Sequence, residues 1–281
     1  MKEEMIKLMK VKLNNNYEMP IIGLGTWRSK PEEAYEAVLS ALKVGYRHID
    51  TAAIYGNEEM IGKAIKDSNV KREEIFLTTK LWNTDQGYEA TLKAFEDSIK
   101  KLGVDYIDLY LIHWFKGYEN SLSTYKAFEE LYRQGKVKAI GVSNYNIHHL
   151  QHLLDNVEIK PMVNQVETHI TLQNHFLHDF CKKNNIQLEA YAPLMSSKIN
   201  DLLNNETLQE IAKKYNKTVP QIAIRWLIER GVVVIPKSVT PSRIEANFNV
   251  FDFSLSDEDM QMIRKLNTGR KIFVEFDNVD Y

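Results

Sequence analysis

The chain has 281 residues, a formal charge of -2 from 36 basic and 38 acidic side chains, and a single cysteine. That length suits two average domains or one α/β barrel; the balanced charge excludes nucleic-acid binding through a basic surface, and no apolar run approaches the ~20 residues of a membrane helix. The lone Cys181 excludes an intramolecular disulfide, and the N-terminal MKEEMIKLMK lacks the apolar core of a secretory signal, so a cytoplasmic protein without membrane or nucleic-acid partners is expected.

Short apolar runs alternate with amphipathic segments along the whole chain, and no linker or composition shift divides it. Val11 to Leu13 followed by Asn14-Asn15-Asn16 reads as the start of an N-terminal hairpin. Ile21 to Leu24 is the first strand of the repeat. Its helix starts near Pro31, carries Ala34, Val38, Ala41 and Leu42 on one face, and stops at Gly45. The second unit is Arg47 to Asp50 with a helix from Glu58 to Ile65. The third is Ile75 to Lys80, with a helix bearing Leu92, Phe95, Ile99 and Leu102 and ending at Gly103. Ile107 to His113 opens the fourth, whose helix carries Leu122, Tyr125, Phe128 and Leu131. Four further strands are expected at Ala139 to Val142, Met162 to Gln165, Gln187 to Tyr191 and Val232 to Ile235. Eight strand-helix units in about 260 residues specify a (β/α)8 barrel, the TIM-barrel class of α/β fold, as one domain over residues 1–281. An open doubly wound sheet would leave two units over. It also lacks its fingerprint, because Gly23-Leu24-Gly25-Thr26 runs into Trp27 without completing G-x-G-x-x-G and reads as a tight strand-to-loop turn.

In such a barrel, polar residues at strand C-termini build the active site. Asp50, Lys80 and His113 end three consecutive strands, and Tyr55 lies in the loop after Asp50. Singly, each has a structural role open to it: helix cap, solvated strand end, core histidine, packing aromatic. Together, a carboxylate, an amine, a phenol and an imidazole form a proton-transfer device. Lys80 would stabilise the Tyr55 phenolate and lower its pKa, Asp50 would hold Lys80 charged, and His113 would hydrogen-bond the reacting oxygen. His148, His149 and His152 have spacing that a metal can use, but no carboxylate motif accompanies them, and a solvated or locally paired helix start is the expectation. Trp226, in a helix with Ile222 and Ile228, is expected in the core.

The run Gly45-Tyr46-Arg47-His48-Ile49-Asp50-Thr51-Ala52-Ala53-Ile54-Tyr55-Gly56-Asn57-Glu58 closely resembles the signature of aldo-keto reductases. Lys80-Leu81-Trp82-Asn83, Ile112-His113-Trp114, Ile140 to Asn144, Asn164 to Glu167 and Ile235-Pro236-Lys237-Ser238 continue the resemblance in the family's order, and the bacterial small-carbonyl branch is the most similar. The resemblance implies a metal-free, NADPH-dependent reductase of aldehydes and ketones, with Tyr55 as general acid assisted by Lys80, Asp50 and His113. It implies that Ser143, Asn144 and Gln165 bind the nicotinamide carboxamide and that Tyr191 stacks on the ring. It implies that Lys237, Ser238, Arg243 and Asn247 hold the adenosine 2′-phosphate and adenine, and it groups Thr26, Leu194 and Ser196 with the cofactor-binding residues. Trp27, Trp82, Trp114 and Phe115, with His113, would line the substrate pocket, and the tail from Asn267 to Tyr281 would cover its mouth.

The chain departs from the family pattern at Ala246, where an acidic or amide residue is common, at Phe115 after His113-Trp114, and at Ala192-Pro193-Leu194-Met195. Thr168-His169-Ile170 also lacks a frequent His-Pro. A monomer acting on a small carbonyl compound is the expectation. Two other classes compete: a nucleotide-sensing regulatory subunit, disfavoured by the intact Tyr55 and Lys80, and a Schiff-base aldolase, which needs a neutral lysine that Asp50 would prevent.

Overall fold

Each apolar run is covered on both faces, by the barrel interior and by a helix, so near-continuous Ile, Val and Leu can form strands without polar alternation. In the structure, a computed structural model describing residues 10–273, these runs make one parallel sheet. An antiparallel hairpin, β1 (Lys10–Lys12) and β2 (Glu18–Pro20), precedes it, with Val11 opposite Met19. The barrel then runs through β3 (Leu24–Gly25), α1 (Pro31–Val44), β4 (His48–Asp50), α2 (Glu58–Asp67), β5 (Phe76–Leu81), α3 (Tyr88–Leu102), β6 (Ile107–Ile112) and α4 (Tyr118–Arg133). It continues with β7 (Val137–Ser143), α5 (Ile147–Asn156), β8 (Val163–Glu167), α6 (His175–Lys183) and β9 (Gln187–Tyr191). Helices α7 (Ile199–Leu203), α8 (Glu206–Tyr215) and α9 (Val219–Glu229) lead to β10 (Val233–Val234), followed by α10 (Pro241–Phe248) and α11 (Asp257–Arg264). Strands pair in chain order from β3 to β10.

The ends of the sheet meet. Ile22 bridges Val234 and Gly25 bridges Lys237, both parallel, with Gly23 N–H donating to Val234 O at 2.8 Å and Val234 N–H to Ile21 O at 2.9 Å. The expected first strand, Ile21 to Leu24, is therefore mostly seam, and its regular part is displaced to Leu24–Gly25. The two glycines have a different role from the turn expected of them. A Cβ on Gly25 would lie 2.8 Å from Ile235 O, and one on Gly23 would lie 2.6 Å from the His48 ring, so both permit close approach at barrel closure.

The hairpin plugs the end of the barrel where strands begin. Asn14 and Asn15 donate to Pro161 O and Lys138 O at 3.1 and 2.9 Å, and the Tyr17 hydroxyl donates to Asp108 at 2.6 Å. Helices pack outside through aromatic contacts such as Tyr110 on Phe128, centroids 4.5 Å apart, and Trp226 is buried as expected. The closed bottom leaves the opposite end, where strands finish, for chemistry. Among the described residues no helix is long and apolar enough to cross a membrane.

Candidate active site

Neighbouring strands deliver the expected polar residues to one place. Asp50 is the last residue of β4, Lys80 sits near the end of β5, His113 directly follows β6, and Tyr55 closes a short helical turn, Ala53–Tyr55. That turn is pinned from beneath: the Thr51 hydroxyl donates to Asn57 Oδ1 at 2.7 Å, and Asn57 Nδ2 donates to Thr26 O at 3.1 Å. Lys80 Nζ then donates to Asp50 Oδ1 at 2.6 Å, to Thr51 O at 2.8 Å and to the Tyr55 hydroxyl at 3.4 Å. The His113 ring meets Tyr55 edge-on at 5.6 Å and Trp82 at 5.2 Å.

Lys80 is fully buried and Asp50 nearly so. Burial opposes the Lys80 charge, but the Asp50 carboxylate and Tyr55 outweigh it and raise the Lys80 pKa, so the ammonium persists at neutral pH. Burial likewise lifts the Asp50 carboxyl above its ordinary range, countered by Lys80 and by Gln165. The sequence led us to expect a lowered Tyr55 pKa; it is raised instead, because burial outweighs the lowering by Lys80. Tyr55 therefore keeps its proton at rest, and Lys80 acts when negative charge develops on the phenol oxygen. His113 is pushed well below its usual value by burial and by Lys80, making it a neutral imidazole, and its Nδ1 is buried without a hydrogen-bond partner among the described residues.

Asp50, Tyr55 and His113 form the floor of one continuous cavity of about 1110 Å³, with Lys80 buried beneath them. Trp27, Trp82 and Trp114 wall it beside Tyr55 and His113, and it extends past Ser143, Asn144, Gln165 and Tyr191 to Leu194, Ser196, Lys237, Ser238, Arg243 and Asn247. The far end sits at the start of α10, where Lys237 and Arg243 are exposed and the Ser238 hydroxyl accepts the Thr240 N–H at 3.1 Å. Much of the middle is already hydrogen-bonded. The Tyr191 hydroxyl donates to Asn144 Oδ1 at 2.9 Å, while Asn144 Nδ2 donates to His113 O and to Ser143 Oγ, both at 3.0 Å. Asn144 itself has φ 63°, in the left-handed region.

Two expected ligand-binding residues do not reach the cavity. Thr26 is buried beneath it, its hydroxyl donating to Asp50 O at 2.8 Å. Phe115 is not in the cavity lining and instead stacks on His149, centroids 3.7 Å apart. His149 also accepts the Asn146 N–H through Nδ1 at 3.2 Å, which makes the histidine group a locally paired helix start.

Sequence reasoning missed Ile54 and Asn200, both in the lining, and the anchor for the C-terminal segment. Buried Glu167 accepts the N–H groups of Ile272 and Phe273 at 2.7 and 3.3 Å, which places Phe273 in the cavity wall, 5.3 Å from Trp27 and 5.9 Å from Tyr191. Residues 274–281 of the expected covering tail lie outside the described residues. Glu189, buried behind Gln165, was missed too, although an acidic residue two positions before Tyr191 on a strand shares its face and was a usable signal.

A parallel barrel with a buried Lys-Asp pair beneath a tyrosine and a neutral histidine, opening into a long cleft with a basic end, defines an oxidoreductase of the barrel type. The chain belongs to the Aldo/keto reductase family, whose model matches residues 21–268. It is 54% identical to the glyoxal reductase of Bacillus subtilis (strain 168) over 263 residues, 93% of this chain and 94% of that one. It is 45% identical to the methylglyoxal reductase DkgA of Escherichia coli (strain K12), with the same coverage. Among solved structures, an aldo-keto reductase from a Medee basin deep-sea metagenome library shares 75% identity at a TM-score of 0.95, covering 97% of this chain and 100% of its own. A Bombyx mori aldo-keto reductase in complex with NADP shares 36% identity at a TM-score of 0.88, covering 93% and 94%.

Proposed function

We propose that this chain is an NADPH-dependent reductase of small aldehydes and ketones, 2-oxoaldehydes such as glyoxal and methylglyoxal among them, with Tyr55 as general acid. The observation that carries the proposal is the chain of contacts from Asp50 through Lys80 to the Tyr55 hydroxyl on the cavity floor. The residues present fit the cofactor. Gln165 offers an amide oxygen to the cavity, Tyr191 a flat ring, and Lys237 and Arg243 two cations at a helix start suited to a phosphate dianion.

When bound, the reduced nicotinamide supplies the hydride. The protein's own residues manage the proton and the developing charge. His113, neutral, donates a hydrogen bond to the carbonyl oxygen and orients it toward Tyr55. As negative charge grows on that oxygen, Tyr55 gives up its hydroxyl proton. Lys80, 3.4 Å away and held charged by Asp50, stabilises the phenolate that remains. Trp27, Trp82, Trp114 and Phe273 exclude water from this exchange and suit a small, weakly polar substrate. We propose further that it acts as a monomer.

Purified protein mixed with NADPH and methylglyoxal tests the proposal: loss of nicotinamide absorbance with formation of the alcohol is expected. Tight NADPH binding without turnover of any carbonyl substrate would favour a nucleotide-sensing role instead.

A further inference from the structure

We propose that Glu189 is a positioning residue: together with Asp50 it clamps the side-chain amide of Gln165, so that Gln165 presents only its Oε1 acceptor to the cavity. The inference rests on the NADPH reading above and adds to it the residue that orients Gln165 toward the cofactor.

The geometry is specific. Gln165 on β8 and Glu189 on β9 are direct neighbours in register, and Gln165 also reaches Asp50 on β4. Gln165 Nε2 donates to Asp50 Oδ2 at 2.8 Å and to Glu189 Oε2 at 2.9 Å, so both amide hydrogens are engaged by carboxyl oxygens. The opposite amide orientation would set the Gln165 oxygen against the Asp50 carboxylate, which can only accept, and this fixes an assignment that is otherwise ambiguous for a glutamine. Because Gln165 also lines the cavity, its oxygen is the atom left to a ligand. It accepts a hydrogen bond and cannot donate one.

The charge state follows from the neighbours. Glu189 and His48 are fully buried, with His48 Nε2 3.6 Å from Glu189 Oε1 and 3.2 Å from the Thr78 hydroxyl. Burial and Lys80 lower the His48 pKa to about 3, so His48 is no counter-ion. Lys80 is already paired with Asp50. A second carboxylate would be an unbalanced buried charge, and burial together with Asp50 pushes Glu189 up to about 8. Glu189 thus serves as a neutral acid whose carbonyl oxygen accepts from Gln165. A glutamine can take over that role; a hydrocarbon side chain of the same length cannot.

The test is a pair of binding titrations, followed by quenching of tryptophan fluorescence, with NADP+ and with its 3-acetylpyridine analogue, in which a methyl group replaces the carboxamide –NH2. The wild type and Glu189→Gln are expected to prefer NADP+ by the same ratio. Glu189→Met, which leaves Gln165 Nε2 held by Asp50 alone with its second hydrogen unpaired, so that the amide can tilt away from its cavity-facing pose, is expected to reduce that ratio by about tenfold, mainly by weakening NADP+. If Glu189→Met does not fold, Glu189→Ala is read in the same titrations. Equal weakening of both dinucleotides, or an unchanged ratio, would show that Glu189 has only a structural role and overturn the proposal. A Glu189→Gln variant that behaves like Glu189→Met would overturn the neutral-acceptor assignment. Failure of the wild type to bind NADP+ at all would instead sink the cofactor reading beneath it.

Discussion

Replacing Asp50 by Asn removes one charge from the buried pair at almost constant shape. The Lys80 Nζ to Asp50 Oδ1 distance is 2.6 Å, with both groups out of solvent. Coulomb's law at an effective dielectric constant of about 20 gives this contact an attraction of ~6 kcal/mol, and removing one partner of such pairs costs about 3–5 kcal/mol. The substitution also turns an acceptor into a donor: if the new amide oxygen faces Lys80, its –NH2 opposes Gln165 Nε2, which now donates to Asp50 Oδ2 at 2.8 Å. Lys80 has a folded-state pKa above its unfolded value, so its contribution is fully present at pH 7 and is lost only as pH rises through the alkaline folded value. Urea unfolding of wild type and Asp50→Asn at pH 7 should therefore differ by about 3 kcal/mol or more. Turnover should fall by roughly 100-fold, since the Lys80 charge is no longer held at Tyr55. Equal unfolding free energies would show that the pair does not hold the Lys80 charge, and wild-type turnover would refute its link to Tyr55.

Three further outcomes follow from other parts of the molecule. His48 and His113 are neutral in the fold and protonate on unfolding below pH about 6.5, each lowering stability by up to ~1.4 kcal/mol per pH unit as pH drops, while Glu189, protonated in the fold and ionised on unfolding, offsets one of them, so a net decline of about 1.4 kcal/mol per unit is expected; constant or rising stability from pH about 6.5 to 5 would contradict their burial. Gly25→Ala forces a Cβ to 2.8 Å from Ile235 O at the seam and should cost about 1–3 kcal/mol in a thermal or chemical melt, and a neutral result would mean that the seam is slack. Arg243→Ala should weaken NADPH by ~10–100-fold while leaving NADH little changed, and equal weakening in a fluorescence titration would remove the 2′-phosphate role.

The strand-helix alternation was legible because each unit carries its own apolar run and its own stop, as Gly45 after α1 and Gly103 after α3 show. Asp50, Lys80, His113 and Tyr55 were legible for a similar reason: adjacent strands carry them in chain order to one end of the barrel. What was obscure depends on partners far away in sequence. The seam strand is short because Ile21 to Gly23 pair with Val234 across more than two hundred residues, and no local periodicity marks that. Phe115 was placed in the pocket by its position after Trp114, yet the stacking surface of His149 draws it aside. The direction of the Tyr55 pKa shift was missed because proximity to Lys80 is visible in the sequence pattern, whereas the competing depth of burial is a tertiary property. Glu167 looks like an ordinary strand end until the backbone of Ile272 and Phe273 arrives to use its carboxylate.

The most direct test of the assignment is Tyr55→Phe, which deletes the hydroxyl 3.4 Å from Lys80 Nζ and leaves the ring and the cavity in place. Steady-state turnover of methylglyoxal should drop by about 1000-fold or more while the Kd for NADPH stays within about twofold of wild type. Turnover close to wild type would show that another group delivers the proton and would contradict the role assigned to Tyr55.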